Sequence, residues 1–264
     1  MIKIENLYKS FGQKEVLKGV DINVKTGSTH CIIGKSGSGK SVLLKHIVGL
    51  LDADKGEIYV DNKNIKKMSY KELFEMRKTM GYVFQGAALF DSYNVFENII
   101  IRLYEHGERN QKLLDDTAME VLSSVGLLPP LEEKESKHYQ HEWNILKTKK
   151  PSDLSGGMRK RVGVARALVG NPEYILYDEP TTGLDPVTSE QIDDLVNEIG
   201  DKLNVTSIVI THDMFSVFRV ADTVSMLHDG VVRFEGGVQE LKDSTDPVVS
   251  EFIERFRLEG EFDS

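Results

Sequence analysis

The segment that most constrains this chain is "GKSGSGKSVLL", residues 34–44, which sets three glycines, three serines and two lysines ahead of an apolar run. Gly34, Gly39, Lys40 and Ser41 fit the phosphate-binding pattern G-x-x-x-x-G-K-[ST]. "THCIIG" before it reads as a buried strand, and "SVLLKHIVGLL" after it spaces its apolar residues like a packed helix. Glycine lets backbone approach closely. The loop from Gly34 through Lys35, Ser36, Gly37, Ser38 and Gly39 can therefore turn successive N–H groups toward phosphate oxygens. The helix that follows adds the positive end of its dipole. Lys40 is expected to reach the terminal phosphates of a nucleotide, and the Ser41 hydroxyl to ligate Mg²⁺. An ordinary Gly-Ser turn needs no Lys-Ser pair at this offset after a buried strand.

The chain has 264 residues, enough to bury a substantial core as one large domain or two small ones. Its 40% hydrophobic and 28% charged content is that of an ordinary soluble globular protein. A net charge of −9 argues against broad nucleic-acid binding, and no nucleic-acid partner is expected. The single cysteine, Cys31, sits in the apolar strand before the loop and reads as a buried thiol in a reducing compartment. The N-terminal "MIKIENLYKS" has no long apolar stretch, and no window approaches the ~20 apolar residues of a membrane span. A cytoplasmic chain is expected unless something else carries it to a membrane.

Residues 1–33 alternate apolar and polar in "MIKIENLYKSF", "VLKGVDINV" and "THCIIG", and are expected to be antiparallel strands, joined by "GEIYVDNKNI" at 56–65. From "SYKELFEMRKTM" to "GLLPP" the pattern is mainly helical, broken by "MGYVFQGAALFDSYN". Residues 129–150, "PPLEEKESKHYQHEWNILKTKK", are polar, charged and bounded by prolines, and read as a surface excursion. Then come a helix at about 156–169, the strand "EYILYDEP", a helix at about 187–202 and the strand "TSIVITHD". That alternation predicts an α/β fold with a parallel sheet covered on both faces.

Two further stretches complete a site. "YILYDEP" is a buried strand ending in Asp178 and Glu179, which delivers both carboxylates to the C-terminal edge of the sheet, where α/β ligands bind. Asp178 would hold Mg²⁺ or its waters, and Glu179 would polarise the attacking water. In "DLSGGMRKRVGVARAL", Ser155 is a good N-cap and Gly156 and Gly157 open an amphipathic helix. Two glycines there cost stability unless backbone must come close to something, such as a second phosphate. Its Arg-Lys-Arg run otherwise reads as a solvated face.

The order of phosphate loop, Gln85, "LSGGM", "ILYDE", "GLDP" and His212 in "VITHD" resembles the nucleotide-binding subunit of an ABC transporter, from Met1 to about Lys242. The resemblance implies ATP and Mg²⁺ as ligands and ATP hydrolysis as activity. It implies a RecA-like P-loop core, an antiparallel β-subdomain and an α-helical signature subdomain over about residues 86–165, within an ATP-binding domain spanning 1–242. Residues 243–264 would be a helical tail. It further implies that Phe11 stacks on adenine, that Gln85 reaches Mg²⁺ and senses the transporter partner, and that His212 contacts the γ-phosphate. Asp185 would lie in the loop between paired subunits. Sites in this family are composite. Ser155 and Gly157 of one copy close over nucleotide on the phosphate loop of the other, so a head-to-tail dimer is expected, held on the inner face of the cell membrane by a permease.

"SVLLKHIVGLL", "FQGAALFDSYNVFEN" and the tail "STDPVVSEFIE" are similar to the ATPases of Mla-type phospholipid transporters, which work with an integral-membrane permease and a lipid-binding MCE-domain protein. ATPases of lipopolysaccharide export, solute import or drug efflux stand as alternatives, as does a non-transport ABC protein acting on nucleic acid. The excursion at 129–150 is longer than the family usually carries, and its His138 and His141 are read as surface polar residues. Phe90 and Phe96 follow Gln85 and read either as core or as a groove for a permease helix. In the tail, Asp246 and Pro247 suit a helix start, Gly260 a helix end, and Val248, Val249, Phe252, Ile253 and Phe256 form one stripe. The pattern alone favours the chain's own core as the partner of that stripe. The resemblance to Mla-type tails implies instead that it clamps the second subunit, and the clamp is the expectation taken here.

Overall fold

The computed structural model describes residues 1–257. The chain runs β1 (Ile2–Phe11), β2 (Lys14–Val24), β3 (Thr29–Ile33), α1 (Lys40–Ile47), β4 (Lys55–Val60), β5 (Lys63–Asn64), α2 (Tyr70–Lys78), β6 (Met80–Val83), α3 (Val95–Glu105) and α4 (Gln111–Ser124). It continues α5 (Lys137–Leu146), α6 (Gly156–Leu168), β7 (Tyr174–Asp178), α7 (Pro186–Leu203), β8 (Thr206–Ile210), α8 (Met214–Val220), β9 (Thr223–His228), β10 (Val231–Gly236), α9 (Val238–Lys242) and α10 (Pro247–Arg257). Strands in the order β2-β1-β4-β5 make an antiparallel sheet, and β10-β9-β3-β8-β7-β6 make a second sheet, parallel except for β10.

The strand "THCIIG" departs from its expected place. As β3 it lies between β9 and β8 in the parallel sheet, with Cys31 opposite Val209 and Val224. All five of its residues are buried, whereas β1 and β2 alternate buried and exposed positions. A strand covered on both faces belongs to a parallel sheet, and its period of two then sorts side chains between two cores. Cys31, Ile33, Ile175, Tyr177 and Val209 face one core with helices α3 to α8. Ile32, Leu176, Ile208 and Ile210 face the other, closed by α1 and the antiparallel sheet.

The excursion at 129–150 is not simply surface. Ser136 caps α5 by accepting from the Tyr139 amide, and α5 buries Tyr139, Trp143 and Leu146 in the first core. Tyr139 keeps its hydroxyl satisfied on Ser123, 2.8 Å away, and Trp143 meets Phe96 edge-on at 5.9 Å between centroids. Three apolar residues spaced i, i+4, i+7 were hidden among charges. His138 and His141 are exposed on the other face. The break at "MGYV" is itself a strand, β6, at the edge of the parallel sheet beside β7.

The tail helix begins as expected, with Asp246 Oδ1 accepting from the amides of Val248 at 2.9 Å and Val249 at 3.2 Å. Its stripe, however, packs on the chain's own core. Val249, Phe252 and Ile253 are buried in the first cluster and Val248 lies against it, contrary to the expected clamp on a second subunit. The Phe256 side chain and Gly260 lie outside the described residues. Among those described, no helix is long and apolar enough to cross a membrane.

Candidate active site

The phosphate loop joins the C-terminal end of β3 to the N-terminus of α1, a position set by the buried strand on one side and the Leu43–Leu44 packing of α1 on the other. Gly34, Gly37 and Gly39 all have positive φ, at 147°, 80° and 104°. A Cβ on Gly34 would collide with the Leu227 carbonyl, so the loop closes down on β9 only with glycine there. Lys40 folds back over the loop, its Nζ donating to the carbonyls of Gly34 at 2.8 Å and Lys35 at 3.3 Å. Burial lowers its pKa, opposed by the carboxylates of Glu179 and Asp178. Ser38 Oγ is buried beside this turn with no hydrogen-bond partner among the described residues, a hydroxyl whose satisfaction is left to a ligand or water.

Asp178 ends β7 opposite Ile210 of β8. Its Oδ1 accepts from the Ser41 hydroxyl at 3.0 Å and its Oδ2 from the Tyr82 hydroxyl at 3.2 Å. A serine hydroxyl in contact with a carboxylate offers hard oxygen donors of the kind Mg²⁺ takes alongside phosphate and water, so these residues fit that cation. Among the described residues no cluster of three or more His, Cys, Asp or Glu could hold a metal on its own. A site sharing its cation with phosphate needs none.

Glu179 follows at once in the left-handed region, φ 53°, which turns its buried side chain across the loop. Its Oε2 accepts from His212 Nδ1 at 2.6 Å and Thr182 Oγ1 at 3.0 Å, while Oε1 lies 4.0 Å from Lys40 Nζ. A carboxylate can only accept, so His212 carries its proton on Nδ1 in this contact. A non-glycine residue in that conformation persists only where surroundings over-determine it, as they do here. The result is an acceptor oxygen pair held beside the lysine, able to take a proton from water.

These groups share one cleft of about 870 Å³, lined by Phe11, Lys35, Ser36, Gly37, Gly39, Lys40, Ser41, Gln85, Glu179 and His212. Phe11 stands half exposed at its mouth, where a flat ring can meet a base. Ser155, Gly156, Gly157 and Asp185 are not there. They line a different cleft of about 580 Å³ together with Met158 and Arg161. Ser155 caps α6 as expected, accepting from the Met158 amide at 3.2 Å. The room that Gly157 leaves is taken by Thr188, whose methyl a Cβ would approach to 2.7 Å. Asp185 caps α7, and its bonds from the hydroxyl and amide of Thr188 hold its carboxyl below the usual range.

A family model described as an ABC transporter matches residues 17–182, more than half of the chain. The chain belongs to the ABC transporter family. It is 35% identical to the intermembrane phospholipid transport system ATP-binding protein MlaF of Haemophilus influenzae, over 96% of this chain and 90% of that one. It is 38% identical to the methionine import ATP-binding protein MetN of Carboxydothermus hydrogenoformans, over 96% and 71%. The solved dimer of the ATP-binding cassette MJ0796 with ADP and Pi superposes with a TM-score of 0.77 at 32% identity, over 90% of this chain and 99% of that one. The fold is that of an ABC ATPase, and the chain is the ATP-hydrolysing subunit of a transporter.

Four contacts to this ABC site were not foreseen. Tyr82 and Thr182 hold the two carboxylates, Phe252 of the tail helix reaches the cleft wall, and Lys160 of α6 is buried with its ammonium against the Gln85 and Glu179 carbonyls. Lys160 stands in the Arg-Lys-Arg run that reads as a solvated face. The signal was present, because Lys160 shares its face with Gly163, Val164 and Ala167 at i+3, i+4 and i+7, all buried.

Proposed function

We propose that this ATPase powers phospholipid transport across the cell envelope as a head-to-tail pair seated on an integral-membrane permease, with an MCE-domain lipid-binding protein as further partner. The observation that carries the catalytic half is the Glu179 carboxylate, buried and oriented by His212 and Thr182 beside the phosphate loop. In this reading Phe11 stacks on adenine, and the amides of residues 34–39 with Lys40 hold the phosphates. Ser41 and Asp178, with Gln85, would hold Mg²⁺, which when bound neutralises charge on the phosphate oxygens. Glu179 orients the attacking water and takes its proton, and His212 faces the γ-phosphate from the imidazole edge that Glu179 leaves free. Ser155 and Gly157 lie in a cleft apart from the phosphate loop, which supports their acting on nucleotide held by a second copy. Phe90 is exposed and Phe96 is turned inward against Trp143, which leaves Phe90 and the exposed Tyr93 for a permease helix. The chain would thus be peripheral on the cytoplasmic side.

The phospholipid assignment is supported by the likeness to MlaF, and solute import by the likeness to MetN. Purification of the chain with its permease, followed by extraction of bound lipid and ATPase assays with phospholipid vesicles or free methionine, separates them. Co-purified phospholipid and vesicle-stimulated turnover are expected. Turnover that responds to methionine and not to lipid would establish the importer reading instead.

A further inference from the structure

Strands β6 and β7 pair from Met80↔Tyr174 to Val83↔Tyr177, and the ladder ends there. Gln85 and Glu179 stand two residues beyond the last pair on their respective strands, where the chains separate into loops. Their carbonyls therefore face the end of an opened ladder. Lys160 occupies that position. Its side chain is almost fully buried, and its Nζ donates to the Gln85 carbonyl and, at 3.2 Å, to the Glu179 carbonyl. Taking an ammonium out of water is expensive, and here burial lowers the lysine pKa against the opposing pull of Glu179 and Asp178. A neutral residue would fill the space without that penalty but would leave the two carbonyls without this donor.

The helix that carries Lys160 holds the neighbouring loop as well. Further along α6, Arg166 donates to the carbonyls of Ala87 at 2.7 Å and Ala88 at 2.8 Å, both in left-handed conformation. The whole Gln85 loop is thus gripped from one helix. Five residues before Lys160, about 7.5 Å along the axis, Ser155 caps the start of the same helix in the separate signature cleft. We propose that Lys160 is a positioning residue that bridges the Gln85 and Glu179 backbones, so that the helix presenting the signature to one nucleotide sets the geometry of the glutamine and the carboxylate at the other. The inference rests on the ATPase reading above and deepens it. It says how one site of a pair registers the other without any long-range rearrangement, through a helix that is stiff over this length.

The test is K160M, which keeps the volume and removes the donors, together with K160R, Q85A and the double variant K160M/Q85A. Turnover, KM for ATP, binding of a fluorescent ATP analogue and melting temperature are measured for each. K160M is expected to lower kcat at least tenfold with less than a threefold change in ATP affinity, K160R to recover most of that loss, and K160M to cost markedly less in the Q85A background than alone. Wild-type kcat in K160M overturns the proposal. So does a loss that is fully additive with Q85A, or one in which ATP affinity falls in parallel with kcat. If K160M does not fold, K160Q, which removes the charge and shortens the reach, is read by the same criteria. Absence of ATP turnover in the wild-type chain would instead overturn the ATPase reading on which the inference rests.

Discussion

His212 Nδ1 lies 2.6 Å from Glu179 Oε2, so an imidazole more than half exposed and a nearly buried carboxylate form one hydrogen-bonded unit. The two residues are 33 positions apart, on turns that follow the neighbouring strands β7 and β8. The Glu179 amide closes the link by donating to the Ile210 carbonyl at 2.9 Å. E179Q keeps the shape and the Thr182 and His212 side of the site while removing the charge proposed to accept the water's proton. It is expected to retain ATP binding, through Lys40 and Asp178, and to lose turnover by roughly 10²–10⁴-fold. Phosphate release and sedimentation with ATP read both, and the variant should accumulate as a nucleotide-bound dimer. Near-wild-type release would remove Glu179 from the chemistry.

Two buried groups tie stability to pH in opposite directions. Burial pushes the Asp193 carboxyl of α7 from 3.8 up to about 7, with Asp213 and Asp194 adding to the rise and Ser216 and Arg219 opposing it. The native state then holds a proton that the unfolded chain releases near pH 3.8, so stability declines as pH rises from there through about 7. His30, buried between the hydroxyls of Thr223 and Ser225, is pushed from 6.5 down to about 4, so stability declines as pH falls through that window. D193N is expected to be more stable than wild type at pH 8, by on the order of a few kcal/mol, and nearly equal to it at pH 4. Urea midpoints at the two pH values measure it. Equal gains at both would mean that Asp193 stays ionised throughout.

Trp143 sits 3% exposed at the centre of α5's inner face. W143A should lower unfolding free energy by about 3–5 kcal/mol, because it removes the ring that Phe96 meets and leaves a cavity under α3. Chemical denaturation followed by circular dichroism tests this. A change below ~1 kcal/mol would return residues 129–150 to the surface.

Deleting residues 245–264 strips Val249, Phe252 and Ile253 from the first core and Phe252 from the wall of the cleft at the phosphate loop. The truncated monomer should melt well below the intact chain, with a loss on the order of several kcal/mol. It should also bind ATP more weakly. An unchanged melting temperature with weaker dimerisation would show that the stripe serves the second subunit after all.

The phosphate loop, the carboxylates that end β7, and the caps at Ser155 and Asp246 were legible in the sequence because each depends on a few consecutive residues whose backbone chemistry leaves little choice. Gly34 and Lys40 needed no partner outside their own strand, loop and helix to be recognised. Sheet membership was not legible in this way. The apolar run of β3 suits an antiparallel neighbour of β2 as well as a place between β8 and β9, and only the covering of both its faces decides. The same holds for α5, whose three apolar residues acquire a core only when α3 and α4 fold over them. The tail stripe of Val249, Phe252 and Ile253 demands burial but does not say against what. Lys160 is the sharpest case. Local sequence makes it one charge in a basic run, and its role arises because β6 and β7 end side by side, leaving two carbonyls for a donor that comes from 75 residues along the chain in one case and 19 in the other. Local chemistry determined which groups gather at the loop between β3 and α1, and long-range packing decided what holds them in place.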